Sequence, residues 1–154
     1  MIAALAIGLM LLAAPLRAAD PALIVVEKFG QRNSGLVVAH YTAANVERSK
    51  RKVGIVVITS PGENAFAFNL AEWQTLIAMC NQGIATQSSG WTEVGSMTET
   101  GTTDVSHLTM SSGPGLRFVI ASPRDGEVSY VLQKHDLPRL QSALRAVEVY
   151  LAAP

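Results

Sequence analysis

The sequence predicts an α+β fold made of two tandem ββββα units, whose antiparallel sheets are each covered by one helix and follow a signal peptide. Three observations support this prediction: an internal repeat, short β-branched runs between turn residues, and two segments with apolar residues at helical spacing. The 154 residues are 49% apolar and 16% charged, which is typical of a globular chain. Twelve Lys and Arg against twelve Asp and Glu exclude a strongly basic nucleic-acid arm and an acidic tail.

The internal repeat aligns residues 58–70 with residues 120–132 without a gap, and Ile, Ser, Pro and Leu coincide. A weaker match, which needs a gap of five residues, places 38–42 (VAHYT) on 105–109 (VSHLT). The two copies cover 22–83 and 90–152, and the polar, Gly- and Ser-containing stretch 81–90 reads as their linker. Neither helix can bury its apolar side alone, so we expect one α+β domain over residues 20–154.

Each copy is predicted to contain four strands and then a helix. The strands are expected at 22–29, 36–43, 53–60 and 64–70, and at 91–98, 104–110, 116–122 and 127–132. The third strand of each copy is apolar on both faces over most of its length, which favours a central position in the sheet. In the fourth strand of the first copy, Phe66 and Phe68 point inwards while Ala65 and Ala67 point outwards.

Local signals set the helix ends. Asn69 is expected to cap the first helix in a capping box with Glu72, and Gly83 to end it. The single cysteine, Cys80, lies on the apolar side of this helix and is expected in the core. Asp136 is expected to cap the second helix, with Pro138 in its first turn. The apolar side of the second helix comprises Leu137, Leu140, Leu144, Val147 and Leu151.

The N-terminal segment predicts export. Residues 2–14 carry no charged side chain, and their length suits the roughly 7–15 residues of a signal-peptide core rather than a membrane span. Small residues follow Pro15, so 1–19 is expected to be a signal peptide cut after Ala18 or Ala19. An uncleaved anchor and a buried N-terminal helix stay open as alternatives.

Loss of Arg17 with the signal leaves eleven positive against twelve negative residues, a net charge of −1. One cysteine excludes an intramolecular disulfide. Because small secreted eukaryotic domains usually contain disulfides, we expect a bacterial periplasmic or secreted protein. No stable membrane span is expected after the signal is removed.

His40 and His107 are candidate binding residues because the weaker repeat match makes them equivalent. Strand alternation puts Thr42 beside His40 and Thr109 beside His107, and we expect all four on the sheet faces opposite the helices. One interpretation is a pseudo-symmetric groove, and the other is two half-exposed histidines that hydrogen-bond to neighbours.

Catalytic and metal-binding interpretations of the same residues are less favoured. Ser106 and His107 point to opposite faces of a strand, so they cannot form a triad with Asp104. Zinc needs three or four ligands, and neither His40 nor His107 has a cysteine or carboxylate at a useful spacing. We therefore expect no enzyme, no metal and no cofactor.

The one charge run lies between the second and third strands and contains Arg48, Lys50, Arg51 and Lys52. It suits a phosphate, an anionic lipid head or an acidic partner, or else it is a solvated loop. The equivalent loop of the second copy, 111–115, is uncharged. Trp91, which opens the second copy, is expected in the core.

The tandem ββββα order is similar to that of single-stranded nucleic-acid binders of the Whirly and PUR type. This resemblance concerns topology alone, and it implies sheets that present a concave face to bases. Export, the net charge and the small outward residues Ala65, Ala67 and Ser129 favour another function. We expect a non-catalytic binding module whose partner is a protein or an envelope component. A nucleic-acid binder is the alternative, and a histidine-based metal enzyme or hydrolase is the weaker one.

Overall fold

The computed structural model describes residues 21–31, 33–44, 47–59, 62–86, 88–99 and 105–154, so the predicted signal peptide lies outside the described residues. Two helices are present in this part of the chain, α1 (Leu70–Ala85) and α2 (Leu137–Ala152), together with short 3-10 turns at Arg48–Lys50 and Lys134–Asp136. The strands are β1 (Leu23–Gln31), β2 (Ser34–Tyr41), β3 (Gly54–Thr59), β4 (Glu63–Phe68), β5 (Thr92–Thr98), β6 (His107–Ser112), β7 (Gly115–Ser122) and β8 (Gly126–Gln133).

The strands form two antiparallel sheets of four, each followed by a helix, which confirms the predicted ββββα–ββββα order. Sheet 1 has the order β1-β2-β3-β4 and sheet 2 the order β5-β6-β7-β8. The mainly apolar strands β3 and β7 are interior strands of their sheets, as predicted. None of the helices in the described ranges combines the length and apolar character needed to cross a membrane.

Strand pairing shows which residues correspond between the repeats. Ile58 pairs with Leu36, and its counterpart Ile120 pairs with Leu108. Leu36 therefore corresponds to Leu108, seventy-two positions later, whereas the weaker sequence match uses an offset of sixty-seven. The two offsets differ by five positions, which is an odd number. A shift by an odd number of residues along a strand exchanges the residues that point to its two faces. The counterpart of His40 is consequently Ser112 rather than His107.

The two edge strands share an irregularity at corresponding positions. The register of β1 shifts between Val25 and Glu27, and that of β5 between Glu93 and Gly95. Each shift inserts one extra residue, Val26 or Val94, which bends the strand. A bulge at the same place in both copies supports the interpretation of the chain as a repeat.

Each helix covers the sheet of the other repeat. Helix α1 packs on β5, β6 and β7, and α2 packs on β1 and β2. The helices also contact each other, and the Trp73 indole N–H donates to the Leu144 carbonyl at 2.8 Å. The prediction of one helix per sheet is thus correct in number, but the covering helix comes from the other copy.

The largest buried cluster is shared by both repeats. It combines aromatic residues of sheet 1 with aliphatic and aromatic residues of sheet 2 and with the apolar sides of both helices. Its largest fully buried members are Trp73, Phe29, Phe66, Phe68, Phe118, Leu36, Ile58, Leu76, Leu108, Met110, Leu116 and Ile120.

The helix ends agree with the sequence signals except at Gly83. Asn69 and Glu72 form the predicted capping box. Helix α1 continues past Gly83 to Ala85 because that glycine faces sheet 2, where a Cβ would lie 2.6 Å from Leu116 Cδ2. Asp136 occupies the predicted N-cap position of α2, with Pro138 in the first turn, but it makes no capping hydrogen bond, because its carboxylate accepts from Arg139 at 3.0 Å.

Candidate functional site

The outer face of sheet 1, which points away from the helices, is mainly apolar, with Lys28, Thr59 and Glu63 as its charged and polar members. Ala39, Ile55 and Val57 form a second buried cluster there, against the partly buried side chains of Val37 and Tyr41. Cross-strand pairing adds members from both edge strands to this face. The apolar outer face comprises Leu23, Val25, Val37, Ala39, Tyr41, Ile55, Val57, Ala65 and Ala67.

Exposure is concentrated at the two edges of the apolar outer face. Leu23 is 44% exposed and Val25 53% exposed on β1, while Ala65 is exposed on β4. The alanines point outwards as predicted, and their size leaves room for another surface to approach closely. In the sequence, the apolar residues on both faces of β3 indicate this surface, because a strand of this kind is expected to be packed against other groups on both faces.

The outer face of sheet 2 is mainly polar. Side chains from all four strands are presented there in cross-strand rows. They include Glu93, Ser96, Thr98, His107, Thr109, Ser111, Arg117, Glu127, Ser129 and Gln133. Val119, Ala121 and Val131 also lie on this face, so the two repeats share a backbone and differ in the proportion of polar residues that their outer faces present.

Trp91 lies beside this polar face and not in the core, so the prediction for it is wrong. The side chain is 38% exposed, and the Arg117 guanidinium lies 4.5 Å from its ring centroid. The ring also contacts the backbone at Gly113, where a Cβ would come within 2.8 Å of it. Trp91 thus packs on the β6–β7 turn from outside the sheet.

The structure places the two histidines on different kinds of surface. His40 is 9% exposed and faces the helices, where its ring stacks on that of Tyr150 with centroids 3.8 Å apart. This corrects the expected outward orientation, and the odd register offset is the reason. His107 is exposed on the outer face of sheet 2, with Nδ1 3.1 Å from the Thr98 hydroxyl oxygen.

The two threonines, like the two histidines, lie in different surroundings. Thr109 is half-buried on the outer face of sheet 2, as predicted. Thr42 lies just beyond β2, and both its hydroxyl and its N–H bond the backbone of Ala22, each at 2.9 Å. The histidines and threonines of the two repeats therefore do not occupy equivalent positions.

The four cations of the charge run lie in different environments: Arg48 is buried, and the other three are nearer to the solvent. Arg48 is 7% exposed, its two terminal nitrogens donate to the carbonyls of Tyr150 and Ala43 at 3.1 and 3.2 Å, and its guanidinium lies 4.2 Å from the Tyr150 ring centroid. This cation lies where the final carbonyls of α2 lack helical partners and carry partial negative charge.

The other three cations lie nearer to the solvent. Lys50 pairs with Glu47 at 3.2 Å, and Lys52 pairs with Glu72 at 2.8 Å. Arg51 is exposed and, with Tyr41, Thr42 and Lys52, lines a shallow cavity of about 300 Å³ next to the apolar outer face.

Two carboxyl groups have shifted pKa values. Burial raises the pKa of Glu99, and the nearby Glu72 adds to this, while a hydrogen bond from the Ala67 backbone and the charge of Lys52 oppose it. A hydrogen bond from Arg139, at 2.7 Å, lowers the pKa of Glu27. Burial also raises the pKa of the Cys80 thiol, which keeps this predicted core residue neutral.

Within the described part of the chain, no group of three His, Cys, Asp or Glu side chains is arranged to hold a metal ion. Asp104, one of the three triad-type residues, lies outside the described residues. A comparison of the chain with models of protein families and with curated proteins finds no match.

Proposed function

We propose that this chain is an exported, non-catalytic interaction module that binds a protein partner through the apolar outer face of sheet 1. The observation that supports the proposal most directly is the contrast between the two outer faces. Corresponding strands present Ala65 in one repeat and Ser129 in the other, and Val25 in one and Glu93 in the other. Solvent exposure alone would favour polar residues on both faces.

The chemistry of this face suits another protein. Exposed apolar residues gathered on one face of a folded chain, here Leu23 and Val25 at one edge and Ala65 at the other, are typical of an interaction site. Ala65 is small and exposed, so an apolar side chain of the partner can approach β4 closely at this position. The rim of this face carries Lys28 and Arg51 together with Glu63 on β4, which favours a partner with charges of both signs around an apolar centre.

The nucleic-acid alternative has less support from the same surfaces. Such proteins combine stacking aromatic side chains with a continuous cationic groove. Tyr41 is the aromatic side chain of the apolar outer face, Arg48 is held by two backbone carbonyls, and Lys50 and Lys52 are paired with Glu47 and Glu72. An apolar sheet face fits a protein surface better than a polyanion.

Site-specific crosslinking in the producing cell tests the proposal. A photo-reactive benzophenone amino acid is placed at Ala65, and at Ser129 as the matched control, since both are exposed and occupy corresponding positions of β4 and β8. We expect one adduct of defined mass, containing another protein, from position 65 and none from position 129. A second substitution, Ala67→Glu, adds a charge to the same face and should remove the adduct.

The absence of an adduct at position 65, or equal adducts at both positions, would contradict the proposed surface. An adduct that persists unchanged in Ala67→Glu would also contradict it, because contact would then not depend on the apolar face.

A further inference from the structure

Among the described strands, β1 is the outermost of sheet 1 on its side, and it carries exposed aliphatic residues. Ala22 accepts a hydrogen bond from the Thr42 N–H at 2.9 Å, and the Tyr41 N–H points the other way, to Val53. Because hydrogen-bonded and non-hydrogen-bonded pairs alternate in an antiparallel ladder, the backbone groups of Leu23 and Val25 point away from β2. The edge thus directs backbone donors and acceptors away from β2, beside two exposed side chains.

The corresponding edge strand of sheet 2, β5, is protected against pairing with another sheet, whereas β1 is not. The residues of β5 that correspond to Ile24 and Val25 are Thr92 and Glu93. Charged residues on an edge strand prevent pairing with another sheet. The first charged residue of β1 is Glu27, and its carboxylate is held by Arg139 of the same chain at 2.7 Å.

We infer that two copies of this chain pair through β1, antiparallel and with Ile24 on the two-fold axis. This register places Leu23 of each copy opposite Val25 of its partner, so that the outward-directed backbone groups meet in about four hydrogen bonds. No charged side chain lies opposite another in the paired stretch, which suits a self-complementary contact. The two copies of sheet 1 then form one eight-stranded sheet with a continuous apolar outer face.

Sedimentation equilibrium of the protein in its exported form tests the pairing. We expect a native mass of two chains for the wild type and of one chain for Val25→Glu, which gives β1 the residue that β5 carries. The matched control Glu93→Lys changes the other edge and should leave two chains. Circular dichroism should show an unchanged fold in both variants, because the corresponding position already accepts glutamate.

A wild type that sediments as a single chain at about 100 µM would overturn the inference, as would a Val25→Glu variant that still sediments as two chains. The register has its own test in Ile24→Cys. Directly opposed residues of a non-hydrogen-bonded pair have Cα atoms about 4.5 Å apart, within the range of a disulfide. Ile24→Cys should therefore form a disulfide-linked dimer on oxidation, and Thr92→Cys should not.

The native Cys80 is buried and does not compete for oxidation. A wild-type dimer in which Ile24→Cys gives no crosslink would overturn the proposed register. This inference goes beyond the proposed function because it concerns the backbone edge of sheet 1, although Leu23 and Val25 also belong to the apolar outer face. The Ile24→Cys disulfide tests the edge alone, since Ile24 lies on the inner side of the sheet, and crosslinking from Ala65 tests the face, so failure of one is distinguishable from failure of the other.

Discussion

The buried guanidinium of Arg48 joins two distant parts of the chain. Through its hydrogen bonds to Tyr150 and Ala43 it connects the end of α2 to the segment after β2, and the Tyr150 ring completes the contact by stacking on His40. A residue from the most charged stretch of the sequence thus stabilises the fold.

The substitution Arg48→Met tests this role. Methionine keeps an apolar stem but leaves two partly buried carbonyls without a donor, so we expect a loss of about 1–3 kcal/mol in the free energy of unfolding. Urea denaturation measures it. The control Arg51→Met changes an exposed cation of the same loop and should stay within about 0.5 kcal/mol of the wild type. Equal effects of the two substitutions would contradict a structural role for Arg48.

Glu99→Gln should stabilise the protein at neutral pH. Burial raises the pKa of Glu99, so ionising this carboxyl costs stability in the folded state. The amide removes that cost, and we expect a gain of less than about 1 kcal/mol at pH 7.

The gain should disappear as the pH falls below about 4, where the carboxyl is protonated in both the folded and the unfolded state. Urea denaturation at several pH values measures the difference, and the exposed Glu63→Gln serves as the control. A gain that is the same at pH 3.5 and pH 7 would contradict the burial argument.

Residues governed by their neighbours in sequence were predictable. The capping box of Asn69 and Glu72 and the core position of Cys80 follow from local spacing, and the structure confirms both. The orientation of His40 and the burial of Arg48 depend on Tyr150, more than one hundred residues away, so no local pattern reveals them.

At the scale of single elements, α1 carries a glycine whose role is packing rather than termination. Gly83 lies inside the helix and allows β7 to approach. Alanine is favoured over glycine in a helix by about 1 kcal/mol, so a free helix would gain from the substitution.

We expect Gly83→Ala to destabilise the protein instead, by about 1–3 kcal/mol, because the new methyl group would meet Leu116 at 2.6 Å. Thermal or urea denaturation measures the change. Gly90→Ala, where a Cβ meets nothing within 4 Å, is the control and should be close to neutral. Shortening the neighbour with Leu116→Val should recover part of the loss in the double variant, and additive losses would contradict the steric argument.

The strands show where element prediction succeeds and where it fails. All eight appear close to their predicted ranges, because β-branched runs between turn residues mark them clearly. The alignment of β2 with β6 failed because it relied on a short match with a gap. Only the pairing of each strand with β3 or β7 gives the offset.

At the scale of the whole molecule, the exchange of helices makes the two repeats interdependent. Each sheet has its inner face covered by the helix of the other repeat, and Trp73 and Leu144 join the helices across the centre. We therefore expect residues 19–86 or 88–154, expressed alone, to show no cooperative unfolding transition.

Co-expression of the two fragments should restore a cooperative transition, and proteolytic cleavage within 86–90 should leave the two fragments associated. Size-exclusion chromatography and circular dichroism measure both outcomes. Two stable, separate halves after cleavage would contradict the prediction of a single domain over residues 20–154.

The tandem order was predictable from the repeat, but the exchange was not. The apolar sides of α1 and α2 require a sheet to cover, and nothing in their periodicity states which sheet that is. Linker length does not decide it either, because Thr86 to Gly90 allows α1 to lie on the following sheet as readily as on the preceding one.

The crossed helices also bear on how such a chain could arise. An ancestral chain with a single ββββα unit of this geometry would have packed its helix on the sheet of a second copy and received that copy's helix on its own sheet. It could therefore fold only as an obligate dimer. Fusion of two such copies would replace a concentration-dependent encounter with a tethered one. Once the two copies could differ in sequence, the outer face of sheet 1 could become mainly apolar while that of sheet 2 stayed mainly polar.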